Sequence, residues 1–286
     1  MILLNALSVD VEDYYQVLNF AQRLPRSDWP RQESRVSANT QRLLELFAKH
    51  KVHATFFVLG CVAQQHPDIV RSIAAAGHEI ASHGMSHAVI TGLSREQFRA
   101  EARDSKALLE DLSGQQVIGF RAPSFSIVER TLWALDELLD AGYRWDSSIF
   151  PVRHPDYGMP SVGDVAHVIR ENNGCKLIEF PMSVARCAGV ALPVSGGGYF
   201  RLLPWWMTRW GLRRIQQQRP FVFYLHPWET DPEQPNLRKY TSRLGAFRHY
   251  VGLHRTMPRL ERLLREFDLD TVSACLRAQG VLLAPQ

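Results

Sequence analysis

Two histidines four residues apart, His83 and His87, are the residues of this chain best suited to hold a divalent metal ion. Backbone that turns helically between them would bring both imidazoles to one side. An ion held by two imidazoles and one carboxylate keeps open positions for water and substrate, as a catalytic ion requires. The carboxylates at hand are Asp10, Glu12 and Asp13. Residues 10 and 12 face one side of a strand. If the chain has already turned, Asp13 takes the place of Glu12, so both are candidates for the third ligand. Asp10 is then the residue to deprotonate water. Arg121 beside it would keep that base ionised and oriented. His226 has the chemistry of a general acid for a leaving amine. Each residue has a plainer reading: acids at a strand end, a surface cation, a histidine bonded to a carbonyl. The ordered recurrence of such groups at the ends of apolar runs favours chemistry.

Those runs alternate with helical patterns. Strands are expected over 3–9, 54–59, 77–82, 116–120, 143–146, 176–181 and 220–225. Between them lie helices at 37–50 (capped by Ser37), 67–76 and from a capping box at Ser94 to about 112, then one at 129–141. The alternation breaks at 151–174, which reads as an irregular insertion. Ser195 to Arg201 reads as a flexible loop. A helix begins at Pro204, 232–248 reads as loop, and helices follow at 258–267 and 271–279. Repeated βα units imply parallel strands joined by right-handed crossovers. The expected fold is α/β, a distorted and incomplete (β/α) barrel of about seven parallel strands, with a doubly wound sheet as the alternative. Barrel strand ends converge on one rim, which would gather the residues above. No linker divides the 286 residues, so one domain is expected, with a helical C-terminal extension.

Composition narrows the classes. A net charge of +4, carried mostly by arginines spread along the chain, indicates no nucleic-acid stripe. Cys61, Cys175, Cys187 and Cys275 form no Cys-x-x-Cys pair and make no disulfide scaffold. No run reaches the ~20 apolar residues of a membrane span, and no secretory signal is seen, so a cytoplasmic protein without stable membrane insertion is expected. Gly196-Gly197-Gly198 lacks the Gly-Lys-Ser of a phosphate loop.

Taken together, the motifs resemble the polysaccharide deacetylases of carbohydrate esterase family 4, the NodB-homology enzymes. They are Ser8 to Tyr15, the histidine pair, Arg121 to Ser126, Trp145 to Ser148, Gly197 to Arg201 and Tyr224 to Glu229. The resemblance is closest to the branch associated with exosortase (PEP-CTERM) exopolysaccharide loci. It implies Asp10 as base, Arg121 as its orienter, His226 as acid and His83 with His87 as metal ligands. The implied ion is zinc, with cobalt, nickel or manganese as alternatives. Ser124, Phe125, Asp146, Tyr199 and Trp228 are the implied substrate-binding residues. The backbone N–H of Ser124 is expected to help an oxyanion. The family's two adjacent aspartates are split here by Val11 and Glu12. Gly84 replaces the usual hydroxyl residue, which removes a brace from the histidine loop. Ser124 replaces an aromatic residue.

The implied reaction is metal-dependent removal of N-acetyl groups from an amino-sugar glycan, in polymer or lipid-linked precursor form. An amidohydrolase of a cyclic amide or imide and a non-catalytic carbohydrate-binding protein are the rival readings.

Overall fold

The computed structural model describes residues 3–154 and 157–283. In chain order the strands are β1 (Asn5–Val11), β2 (Thr55–Val58), β3 (Glu79–Ser82), β4 (Gly119–Phe120), β5 (Trp145–Asp146), β6 (His167–Asn172), β7 (Cys175–Glu179), β8 (Val184–Cys187), β9 (Val190–Pro193), β10 (Val222–Leu225) and β11 (Leu269–Asp270). The helices are α1 (Val36–His50), α2 (Gly60–Gln65), α3 (Pro67–Ala75), α4 (Arg95–Ser113), α5 (Ala134–Asp140), α6 (Gly197–Leu202), α7 (Trp205–Gln216), α8 (Arg243–Tyr250), α9 (Thr256–Glu266) and α10 (Val272–Ala278).

Seven strands run parallel in the order β10-β1-β2-β3-β4-β5-β7, and β6 adds an antiparallel edge. The expected incomplete barrel is thus the observed fold. Its seam lies between β7 and β10. There the Ser183 hydroxyl accepts from the Val222 N–H at 2.9 Å, and Gly196 bridges to Tyr224. Gly196 has φ +142°, and a Cβ there would stand 2.0 Å from the Tyr224 carbonyl oxygen. Glycine alone lets the chain approach that closely.

Alternation along β1 divides the protein. Leu7, Val9 and Val11 point outward into the layer under the helices, with Phe56, Val58, Ile80 and Leu225. Ala6, with Phe57, Ala81, Trp145 and Val222, fills the barrel interior. Ser8, Asp10 and Glu12 share the parity of Ala6 and so continue up the inside toward the strand ends. The C-terminal helix α10 is more than an extension. Val272, Cys275 and Leu276 belong to the interior cluster, and the Trp145 indole donates to Ser273 at 2.9 Å. It closes the floor beneath the site.

The irregular stretch differs from expectation. The 151–174 insertion, of which residues 155 and 156 lie outside the described residues, ends in β6, which pairs with β7 around Asn173-Gly174. Both of those residues have positive φ, as a two-residue hairpin turn requires. Ala188-Gly189 makes the same turn between β8 and β9. The segment expected as a flexible loop forms α6, and 232–248 contains the start of α8.

Candidate active site

The first acidic motif divides its labour. Ser8, Asp10 and Glu12 lie inside the barrel mouth. Asp13, past the end of β1, turns away. Its carboxylate accepts from Ser34 Oγ at 2.7 Å and from the N–H groups of Arg35 and Val36 at 2.9 and 3.3 Å. Asp13 therefore caps α1 from a distance, the task expected of Ser37. It is not part of the histidine cluster, which corrects its candidacy as a ligand. Burial pushes its carboxyl up, against the pull of those donors.

Glu12 stands where a ligand is needed. Ligand atoms of Glu12, His83 and His87 all lie within 4.8 Å of one another, and all three residues are buried. Glu12 Oε1 is 3.3 Å from His83 Nε2, and Oε2 is 3.4 Å from His87 Nε2. Burial pushes the Glu12 carboxyl up, but His87, His226 and His83 outweigh it and hold the group well below the usual range. His83 Nδ1 is 2.8 Å from the carbonyl of Arg121. With the Nδ1 proton on that bond, the Nε2 lone pair faces a carboxylate oxygen across 3.3 Å. A proton on Nε2 or a cation between them relieves that opposition. The donor set, two imidazoles and a carboxylate, fits a catalytic divalent ion.

The histidine loop is not helical. Gly84 and His87 take φ of +79° and +61°, and these two left-handed residues bring His87 back toward His83. A left-handed histidine costs free energy that the surroundings must hold in place. Glu101, from α4, supplies that: it accepts from the N–H groups of Met85 and Ser86, both at 2.8 Å, and from the Ser86 hydroxyl. The Gly84 N–H donates to Ser82 Oγ at 3.1 Å. The brace expected to be lost with the hydroxyl residue is thus provided by Ser82 and Glu101. From α2, Gly60 and Cys61 donate to the carbonyls of Gly84 and Met85 at 2.9 and 2.7 Å.

Arg121 is fully buried. It donates to Asp10 Oδ1 at 2.6 Å, to Ser8 Oγ at 2.9 Å and to the carbonyl and hydroxyl of Ser147 at 3.0 and 3.1 Å. Its guanidinium lies 4.0 Å over the Phe57 ring. Five donors in a rigid fork are nearly all spent, so the cation has one position.

His226 follows β10. Its Nε2 lies 3.5 Å from Glu12 Oε1 and 4.0 Å from Asp10 Oδ2. Its Nδ1 lies 2.7 Å from Glu229 Oε1, and Glu229 is paired with buried Arg201 at 2.6 Å. Burial lowers the His226 pKa, but Glu12, Glu229 and Asp10 overcome it and raise the imidazole to about 9. An ion on Glu12 would cancel that residue's share. Burial raises Glu229, yet Arg201 and His226 bring it down to about 2. Arg201 and Glu229 were quoted in motifs without a role. Glu229 is three residues after His226, the one sequence signal that ties it to the acid.

A cavity of about 460 Å³ opens over these groups, lined by Asp10, Glu12, His83, His87, His226 and Glu229. Ser124, Phe125, Tyr199 and Trp228 line it too, as expected of substrate-binding residues. Ser124 and Phe125 are both left-handed, which turns the chain after Arg121 over the site. Trp228 stacks on His226 at 5.3 Å. Asp146 is not on the cavity wall, which corrects its placement. It is buried, accepts from Ser148 Oγ at 2.5 Å and is bonded to Glu179. The Ser148 hydroxyl in turn accepts from the Ala122 N–H at 2.8 Å. Burial raises both carboxyls, and the neighbouring Asp146 pushes Glu179 well above the usual range.

Residues 28–144 match the family described as Polysaccharide deacetylase, and residues 147–277 match a Domain of unknown function (DUF3473). The cavity draws on both: His83, His87 and Ser124 from the first, His226, Glu229 and Arg201 from the second. Among curated proteins, a chitooligosaccharide deacetylase of Rhizobium leguminosarum bv. trifolii is 42% identical over 66 residues, covering 23% of this chain and 31% of that protein. A peptidoglycan-N-acetylglucosamine deacetylase of Bacillus cereus is 33% identical over 99 residues, covering 34% and 36%. The chain thus spans about a third of the length of these relatives. Among solved structures, a Mycobacterium smegmatis protein assigned as a polysaccharide deacetylase superposes with a TM-score of 0.64 at 22% identity, covering 100% of this chain and 95% of that one. A family 4 carbohydrate esterase of Streptomyces lividans, in complex with acetate, gives 0.52 at 15% identity, covering 99% and 98%. Residues 28–144 are thus similar to the polysaccharide deacetylase family, and the whole chain shares its fold with the family 4 carbohydrate esterase of Streptomyces lividans.

Proposed function

We propose that the chain works as a single unit, a metal-dependent N-deacetylase of an amino-sugar glycan, in the exosortase-associated exopolysaccharide branch of the family. The observation that carries the reading is the meeting of three groups in one cavity: Asp10 clamped by Arg121, the Glu12-His83-His87 cluster, and His226 backed by Glu229. A divalent ion held by Glu12, His83 and His87, zinc by preference, supplies Lewis acidity to the amide carbonyl and to water. Asp10 takes a proton from the attacking water, and Arg121 keeps its carboxylate aimed. The water oxygen bonds to the acetyl carbon. The N–H of Ser124 donates to the oxygen that gains charge. His226, protonated at Nε2, gives that proton to the sugar nitrogen as the C–N bond breaks. Acetate and a free amino sugar leave. Phe125 and Tyr199 offer faces to sugar rings, while Trp228 backs His226.

The test is acetate release from N-acetylated oligosaccharides by chelated protein, with zinc, cobalt, nickel or manganese added back. Activity restored by an ion and lost in Asp10→Ala supports the reading. Ring opening of cyclic amides or imides with no acetate release would replace it with the amidohydrolase reading.

A further inference from the structure

Two long stretches of the chain, 180–228 and 234–260, hold basic residues and no acidic ones, and the second lies beside the cavity. From 234 to 260 there is no Asp or Glu, while Arg238, Lys239, Arg243, Arg248, Arg255 and Arg259 all fall there. Arg259 is spent on the carbonyls of Phe200, Arg201 and Leu203. The other five are exposed, and none pairs with a carboxylate among the described residues. At the centre of this stretch is α8. It buries Gly245, Ala246 and His249 and presents Arg243, Leu244, Phe247 and Arg248 together to solvent. Leu244 and Phe247 are 58% and 54% exposed, large for apolar side chains a turn apart.

This face is continuous with the cavity mouth. Phe247 and Arg248 line the cavity, and so do Leu18, from the segment after β1, and Leu202, at the end of α6. Both leucines are also exposed. Three separate elements therefore raise apolar side chains around one opening, within a field of unpaired arginines. Isolated exposed leucines need no explanation, but a cluster with a cationic rim does.

We propose that this face docks on an anionic lipid bilayer, with the apolar lip in the headgroup region and the arginines against lipid phosphates. The charge selects an anionic partner. A hydrated acidic glycan would use the arginines but would leave Leu18, Leu202 and Leu244 without a function, since aliphatic side chains gain only from burial. The mixture of Leu and Phe with Arg on one short surface is that of an interfacial element. The cavity then opens toward the membrane plane, where it meets glycan anchored by lipid. Docking stands without the deacetylase reading; only the anchored substrate rests on it.

The test is co-sedimentation of the full chain with vesicles of equal parts phosphatidylcholine and phosphatidylglycerol, and with phosphatidylcholine alone. Binding to the mixed vesicles is expected, at least about tenfold weaker to the neutral ones. It should fall at about 0.5 M salt, where charges are screened beyond roughly 4 Å. Arg243→Gln with Leu244→Gln should weaken mixed-vesicle binding about tenfold. Both residues are exposed and off the cavity wall, so the melting temperature and acetate release from a water-soluble oligosaccharide should stay unchanged. No vesicle binding, equal binding to both vesicles, or undiminished binding by the variant overturns the proposal. So does binding of alginate in place of vesicles, or self-association that the same variant abolishes. Vesicle binding needs no metal ion, so a lost deacetylase activity and a lost docking site are told apart.

Discussion

Glu229→Gln separates the acid role of His226 from a purely structural one. In the wild type His226 stands at about 9 against an ordinary 6.5. That gap is worth roughly 3 kcal/mol. Glu12, Glu229 and Asp10 supply it against burial, and an ion on Glu12 removes the first share. Glu229, 2.7 Å from Nδ1, then carries much of what remains. Neutralising it should lower the His226 pKa by about one unit. The descending limb of the pH profile of kcat/KM for acetate release should move down by that much, with activity about tenfold lower above the wild-type limb and nearly intact well below it.

Stability should fall too, because Arg201 loses the one carboxylate it pairs with among the described residues, in a buried setting, at a cost of about 3–5 kcal/mol. The signs fix the window. Glu229 is depressed, so its contribution is present above 4.5 and lost as pH falls through about 2. His226 is raised, so its contribution is present below 6.5 and lost as pH rises through about 9. The deficit should be largest between about 4.5 and 6.5 and shrink toward pH 9. A variant that is less stable yet keeps its descending limb in place would refute the acid-tuning argument and leave Glu229 as scaffold.

Asp13→Ala should lower stability by about 1–2 kcal/mol through the lost cap, read by urea unfolding, while zinc affinity by competition with a chelating dye stays within about threefold. Glu12→Gln should do the reverse, lowering zinc affinity by more than about a hundredfold. Gly60→Ala places a Cβ 2.1 Å from Met85 Sδ and 3.0 Å from Met85 Cα. It should cost about 1–3 kcal/mol and weaken zinc binding without touching a ligand, because α2 holds the histidine loop. Glu179→Gln keeps the bond to Asp146 without a titrating proton. Glu179 is raised in the folded state, so its contribution is full below about 4.5 and lost as pH rises through its folded value. The variant should match wild type near pH 4 and be more stable at pH 7, the gap growing by at most about 1.4 kcal/mol per pH unit.

The sequence made the barrel and most of the site legible because strand parity and strand ends are local properties. Ser8, Asp10 and Glu12 alternate with Leu7, Val9 and Val11, and the interior face follows directly. The Ser94 capping box was visible for the same reason, and the structure forms it. Contacts between distant segments were not visible. Nothing near Asp13 says that it would cap a helix beginning at Val36. Asp146 sits in a motif, but only the buried Glu179 beside it explains why it faces away from the cavity. Trp145, in the same motif, is fully buried in the barrel interior. The helical turn expected between His83 and His87 is replaced by left-handed residues that Glu101 stabilises. The Asn173-Gly174 pair is a hairpin signal by itself, but it lies within a segment whose Pro, Gly and polar residues otherwise read as irregular.

The position of β1 bears on how the protein is made. It pairs with β2 on one side and with β10 on the other, and Ser8 bonds to Phe223, 215 residues later. During synthesis the edge of β1 that β10 will cover stays open until nearly the whole chain has emerged. Loop closure over that distance is slow, and an unpaired apolar strand edge invites association with other chains. Asp10 and His226 meet only when that pairing forms. A nascent or C-terminally shortened chain therefore has the Glu12, His83 and His87 cluster without His226, and an exposed edge that chaperones must cover.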